Sequence, residues 1–398
     1  MIAYNKKFIT HLAIIKKAKQ WYAEKLISAE QMALLLKKYQ TDFYSPNLFI
    51  KIGLFIFTLI TISAALGFYS LFSFTAINGL EQSNVFPVFT SILFAIICIV
   101  ILELFIQNKL IFRSGVDEAL LYAALSFILS GILFAVDNDS NNGMLISSIV
   151  FLPFLVVASI RYIDTITSIL TMICMYCIVF LILLKLGDIA KLIMPFALMV
   201  ISAIFYLSIK KQKKQEKLSL WKNCFTAAEC IVMIVFYLAC NYYVIRESSV
   251  EFFNMELQAG EDIPLAFVFY ILTALVPLLY VFVGLKNKDK VSLWIGLLLV
   301  AIAAFTFKYY FSLGHPEITL TFAGIAMILT AYFSIRYLKI DKHGITFKED
   351  MDEDNFLKSN AEALLVAQSF SQQVHTPQQP ENTFGGGNFG GAGSGEKF

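Results

Sequence analysis

The stretch Val85–Gln107, VFPVFTSILFAIICIVILELFIQ, decides the class of this fold. It holds one charged residue, Glu103, in an apolar run of the length a helix needs to cross the hydrocarbon layer, about 20 residues. Comparable blocks recur on both sides of it: Phe49–Phe72, Val116–Val136, Gly143–Ile160, Thr165–Leu186, Ile189–Ile209, Asn223–Ile245, Pro264–Gly284, Lys290–Phe307 and Pro316–Tyr337. Composition agrees. Of 398 residues, 58% are hydrophobic and only 15% are charged, against roughly 25% charged in a soluble domain. So few charges leave too little polar surface for a water-facing globule. The expected fold is all-α, a polytopic bundle of about ten membrane spans over residues 49–338, bathed by a lipid bilayer.

Two joints decide the count. Arg161-Tyr162-Ile163-Asp164 separates one pair of blocks, and only Gly187 and Asp188 separate the next. Merging either pair would invert every later loop, and charge provides the check. Lys and Arg accumulate in cytoplasmic loops. With ten spans and the N-terminus inside, all 31 Lys and Arg except Lys185, Lys191, Arg246 and Lys308 fall on the cytoplasmic side. The opposite loops are acidic, with Glu81, Asp137, Asp139, Glu247, Glu251, Glu256, Glu261 and Asp262. Both termini are therefore expected in the cytoplasm. The first apolar block starts only at Phe49, so it reads as a permanent span and not as a cleaved signal.

Three cytoplasmic parts are expected around the spans. Residues 1–48 read as an amphipathic helical hairpin. Its second helix opens on Ser28 with Gln31 three residues later, a capping box, and carries Met32, Leu35, Leu36 and Tyr39 on one face. The first helix sets Phe8, Leu12, Ile15 and Tyr22 against a lysine-rich side. Such a hairpin packs on itself, or serves self-association or an anionic membrane surface. Residues 339–375 hold an acidic run, Glu349 to Asp354, before a helical pattern. Residues 376–398 form a Gly/Phe tail that cannot bury enough surface to order itself. Its glycines follow no strand and precede no helix, so they are not a phosphate loop.

The hairpin sequence Trp21-Tyr22-Ala23-Glu24-Lys25-Leu26-Ile27-Ser28-Ala29-Glu30-Gln31, followed by Leu34, Leu35, Lys38 and Tyr39, resembles the opening of bacterial membrane proteins with domain of unknown function 2157. Ser114-Gly115-Val116-Asp117-Glu118-Ala119-Leu120-Leu121 also looks like part of such proteins. Lys25 stands where that pattern usually has glycine. The resemblance implies a bacterial inner-membrane, multi-pass protein with an N-terminal helical hairpin, and it supplies no catalytic residues.

No catalytic constellation is legible. The four histidines, His11, His315, His343 and His375, show no paired metal-ligand spacing. No nucleophile elbow occurs in or beside a span. The six cysteines lie in or at the edges of apolar blocks and read as reduced packing residues, the Cys174-x-x-Cys177 pair included. No cofactor, metal or nucleic acid is implied. What remains are ionisable residues in the spans, each of which costs about 2.5–3.5 kcal/mol at the bilayer centre and so needs a reason.

Glu229 is the foremost candidate, about 10 Å along its helix from Lys222. It reads either as a proton or cation site or as a hydrogen-bonded packing residue. Glu103 lies near the cytoplasmic end of its span, within reach of Lys109 or headgroups. Asp117 and Glu118 follow Ser114 at a helix start, where capping accounts for them. Pro277, in mid-span, is the candidate hinge. Asn241, Tyr242 and Tyr243 read as an aromatic belt at the outer end of their span. Two functional readings stay open. One is a non-enzymatic scaffold, assembly or regulatory membrane protein, with homo-oligomer or protein partners bound through the hairpin and tail. The other is a secondary transporter or channel-like protein that uses Glu229.

Overall fold

A computed structural model describes residues 2–310 apart from positions 24, 41, 42, 45, 77–84, 110, 137–139 and 254–261, together with Ile325, Tyr332 and Arg336. The expected tenth span is thus described at those three helical positions only. The acidic region 339–375 and the tail 376–398 lie outside the described residues.

The protein is an all-α polytopic helix bundle. Nine described helices are long and apolar enough to cross a membrane. The N-terminal pair is α1 (Lys6–Ala23) and α2 (Ala29–Lys38). The membrane helices begin with α3 (Leu48–Ala76), α4 (Val85–Lys109), α5 (Val116–Ala135) and α6 (Asn141–Tyr162). They continue with α7 (Thr165–Leu184), α8 (Asp188–Lys213) and α9 (Lys222–Leu238), this last preceded by a 3-10 turn at Glu216–Trp221. A short helix, α10 (Tyr242–Phe253), leads to α11 (Ala266–Asn287) and α12 (Lys290–Tyr310).

The tight joints resolve as full reversals. Ile163 takes a left-handed backbone conformation, and Asp164 caps α7 by accepting the Thr167 N–H at 2.7 Å. Gly187, at φ 63, turns the chain between α7 and α8. Tyr176 on α7 donates to Ser202 on α8 across the resulting antiparallel pair, at 2.9 Å. The shortest loop in the sequence therefore joins two complete helices.

The helices pack in sequence order, α4 on α5, α6 on α7 and α11 on α12, with α9 seated among α7, α8, α11 and α12. Small residues set the closest approach, as membrane helices require in the absence of a hydrophobic drive between them. A Cβ on Gly284 would lie 2.7 Å from the Leu293 nitrogen, and one on Gly296 would lie 2.8 Å from the Val281 nitrogen. Helix α3 is peripheral: no residue of its apolar window is buried, and it packs mainly on α5, with Tyr69 edge-on against Phe94 of α4 at 5.5 Å. Its outward side chains, Ile56, Phe57 and Ile60, face lipid.

One helix departs from the sequence reading. The block Asn223–Ile245 is not a single span: α9 ends at Leu238, and α10 begins at Tyr242. Asn241, read as part of an interfacial belt, is fully buried at the break. Its Oδ1 accepts the Val244 N–H that opens α10, and its amide donates to Tyr237 at 2.9 Å and to Thr306 at 3.0 Å. A buried amide bonded across to Thr306 of α12 breaks the span where hydropathy shows no interruption.

The N-terminal hairpin closes as the capping box predicts. Ser28 accepts the Gln31 N–H, and Gln31 accepts the Ser28 N–H at 2.9 Å. Lys25, at φ 59, holds the left-handed position after α1, where Leu26 N–H reaches back to Trp21 O and Lys25 N–H to Tyr22 O. That is the Schellman ending of a helix, usually built on glycine. The hairpin does not hang free. Tyr4 packs edge-on against Phe112 at 4.9 Å, and Phe43 stacks on Phe112 at 5.3 Å. Ala3 N–H donates to Arg161 O at 2.9 Å. Phe8 and Leu12 join the same core, as their shared helix face predicts, whereas Tyr22 stays exposed.

Candidate functional site

The ionisable residues singled out in the sequence gather at one end of the bundle but do not converge. Chain direction brings together the ends of α4, α6 and α8 and the starts of α3, α5 and α9. There each carboxylate finds its own partners.

Asp117, 2% exposed, sits one residue inside α5 and reaches back. Its carboxylate accepts the N–H of Arg113 at 2.8 Å, the N–H and hydroxyl of Ser114 at 2.9 and 3.0 Å, and the hydroxyl of Tyr4 at 3.0 Å. Gly115 holds the cap position with no side-chain bond, and Asp117 orders the turn before the helix. Tyr4 lies outside the spans. Burial first, and then the neighbouring Asp117 charge, push its phenol well above the usual value of 10.0. Glu118, on the next position, pairs with Lys51 of α3 at 2.7 Å.

Glu103 finds its partners on α6. Its Oε1 accepts from Arg161 Nε and from Tyr162 Oη on α6, each at 2.7 Å. Glu103, Arg161 and Tyr162 form the polar end of a groove of about 480 Å³ between α4, α5 and α6.

Glu229 is the most buried of the four, 1% exposed, and its Oε2 accepts from Lys213 of α8 at 2.7 Å. Its Oε1 has no hydrogen-bond partner among the described residues. One turn further along α9, Val232 and Met233 line a cavity of about 310 Å³ with Tyr206, Tyr280 and Ser292. Lys210, one turn before Lys213 on α8 by face, donates to Tyr206 at 2.6 Å.

Pro277 lies fully buried inside a continuous α11. A proline cannot bond the carbonyl four residues earlier, here that of Thr273. Tyr237 Oη donates to that carbonyl at 3.5 Å, and Thr273 Oγ1 accepts the Tyr242 N–H at 2.9 Å. The candidate hinge is thus stitched to the α9–α10 break.

Asp117, Glu103 and Glu229 therefore belong to three separate networks, and Glu103 lines the groove between α4, α5 and α6. Sequence reasoning missed Arg161 and Lys213 as partners, and it missed the Tyr237–Asn241–Thr306 network. Arg161 was visible as the one cation of a tight turn, and Lys213 as one lysine among six between positions 210 and 222. The six cysteines are free; Cys174 donates to Ser148 O at 3.4 Å rather than to Cys177. No group of His, Cys, Asp and Glu suited to a metal ion occurs among the described residues. Comparison with protein-family models, with curated proteins and with solved structures finds no match to this chain.

Proposed function

We propose that this multi-pass membrane protein is a non-enzymatic scaffold of a bacterial inner membrane, with both termini cytoplasmic, that self-associates or docks protein partners through its N-terminal hairpin. One observation carries the reading. The hairpin is fixed to the membrane bundle by Tyr4, Phe8 and Phe43, while Trp21, Tyr22, Leu26 and Leu34 stand exposed on it. Apolar side chains held outward on a rigid base are the form of an interaction surface. The pairing of Glu103, Glu118 and Glu229 with cations supports a structural role for these charges. Proposed kinship with the domain-2157 proteins is supported by Lys25, whose left-handed backbone occupies the place of that family's usual glycine. Mass photometry of the protein in nanodiscs tests the scaffold reading. Trp21→Ser with Leu34→Ser is expected to lower the assembled mass, and an unchanged mass and partner set would sink it.

A second reading, transport through Glu229, is favoured by the unpartnered and buried Oε1. It predicts proton- or substrate-coupled flux in reconstituted vesicles that falls in Glu229→Gln. Full flux in that variant removes Glu229 from any transport path.

A further inference from the structure

We propose that the groove between α4, α5 and α6 is a binding site for one membrane phospholipid with a zwitterionic headgroup, an ethanolamine type carrying both ammonium and phosphate. The floor of the groove is α5, through the buried Leu121, Ala124 and Leu125. Its outer rim is Phe154 and Val157 of α6, both outward-facing, so it opens sideways to lipid and not to water. Pro153 marks its inner end and Arg161 its polar end, eight helical positions apart, or about 12 Å at 1.5 Å per residue. An apolar slot of that length, entered from the bilayer, fits an acyl chain.

The polar end selects the headgroup. Arg161 and Glu103 sit there as a pair of opposite charges, 2.7 Å apart. Arg161 keeps 37% of its side-chain surface exposed, and a guanidinium offers five N–H donors in a fork suited to phosphate. Arg161 Nε and Tyr162 Oη both donate to Oε1 of Glu103. The Glu103 carboxylate is the acceptor for the headgroup ammonium, and the guanidinium is the donor to the phosphate. A locally neutral pair attracts a headgroup that carries both charges and gives a purely anionic one no advantage, because Glu103 repels it. The lysine-rich loops elsewhere at this end have the opposite preference, so lipid selectivity at this site is distinguishable from general attraction to the membrane surface.

Native mass spectrometry of the full chain, loaded with equal phosphatidylethanolamine and phosphatidylglycerol, tests the site. The wild type is expected to retain one phosphatidylethanolamine after mild delipidation. Glu103→Gln is expected to lower the ethanolamine-to-glycerol ratio about tenfold, the loss of one charge-assisted hydrogen bond. Ala158→Leu, which fills the groove, is expected to abolish retention of both lipids. Should that variant not fold, Val157→Trp on the rim gives the same readout. The proposal is overturned if the wild type retains no lipid or prefers the anionic one. It is equally overturned if Glu103→Gln keeps the wild-type ratio or a folded groove-filling variant keeps its lipid.

Discussion

The Tyr237 hydroxyl donates to the Thr273 carbonyl at 3.5 Å, and that carbonyl is the one Pro277 leaves without a helical partner. In hydrocarbon an unsatisfied carbonyl has no water to turn to. One phenol therefore secures the only proline of α11 and, through Asn241, the break between α9 and α10. Tyr237→Phe is expected to lower stability by about 1 kcal/mol, the scale of a hydrogen bond between membrane helices. Pro277→Ala restores the amide, so the Tyr237→Phe penalty should shrink in that background. Thermal melts in detergent of the two singles and the double measure the coupling, and simple additivity would dissolve the link.

Gly115 and Lys51 define how α3 meets the bundle. A Cβ at Gly115 would lie 2.2 Å from the Lys51 carbonyl oxygen, and the backbone there has φ 95. Gly115→Ala meets both a clash with rigid backbone and a strained dihedral, and should cost at least about 3 kcal/mol. The Lys51–Glu118 pair should part with it. A cysteine cross-link between the starts of α3 and α5 reports this as a loss of yield.

The docking of the N-terminus should be alkali-sensitive. The Tyr4 phenol is held well above 10.0 in the folded protein by burial and by Asp117. The folded state therefore keeps the proton more tightly than the unfolded segment does. The sign follows: docking is fully stabilised below pH 10 and loses stability as the pH rises beyond it. Limited proteolysis near residue 5 should accelerate above pH 10 in the wild type, and Tyr4→Phe should remove that pH dependence.

Glu229 and Lys213 should behave as a buried pair. Glu229→Gln leaves the lysine without its counter-charge, at a cost of about 3 kcal/mol, the low end of the usual range because Lys213 keeps 21% of its surface exposed. Glu229→Leu with Lys213→Met should recover most of it. Melting temperatures decide, and a double variant no better than the single would show that more than this pair depends on Glu229.

Hydropathy made the helices legible because each span is an unbroken apolar run, and the placing of Lys and Arg made the count internally consistent across the loops at Arg161–Asp164 and Leu186–Ile189. The capping box at Ser28 and the shared face of Phe8 and Leu12 were likewise local signals. The partners of the carboxylates were not. Glu103 lies 58 residues from Arg161, whereas the nearby Lys109 was the only cation that sequence distance suggested. The α9–α10 break escaped notice because neither proline nor glycine marks it. Asn241 breaks the helix through Thr306, 65 residues away, a contact that exists only once the bundle is packed.

The exposed face of the hairpin is where the functional account stands or falls. Mass photometry in nanodiscs, comparing the wild type with Trp21→Ser plus Leu34→Ser, measures it directly. The scaffold reading predicts a wild-type assembly heavier than the variant, with both proteins equally stable in thermal melts. Equal masses and the same co-purifying partners would contradict it.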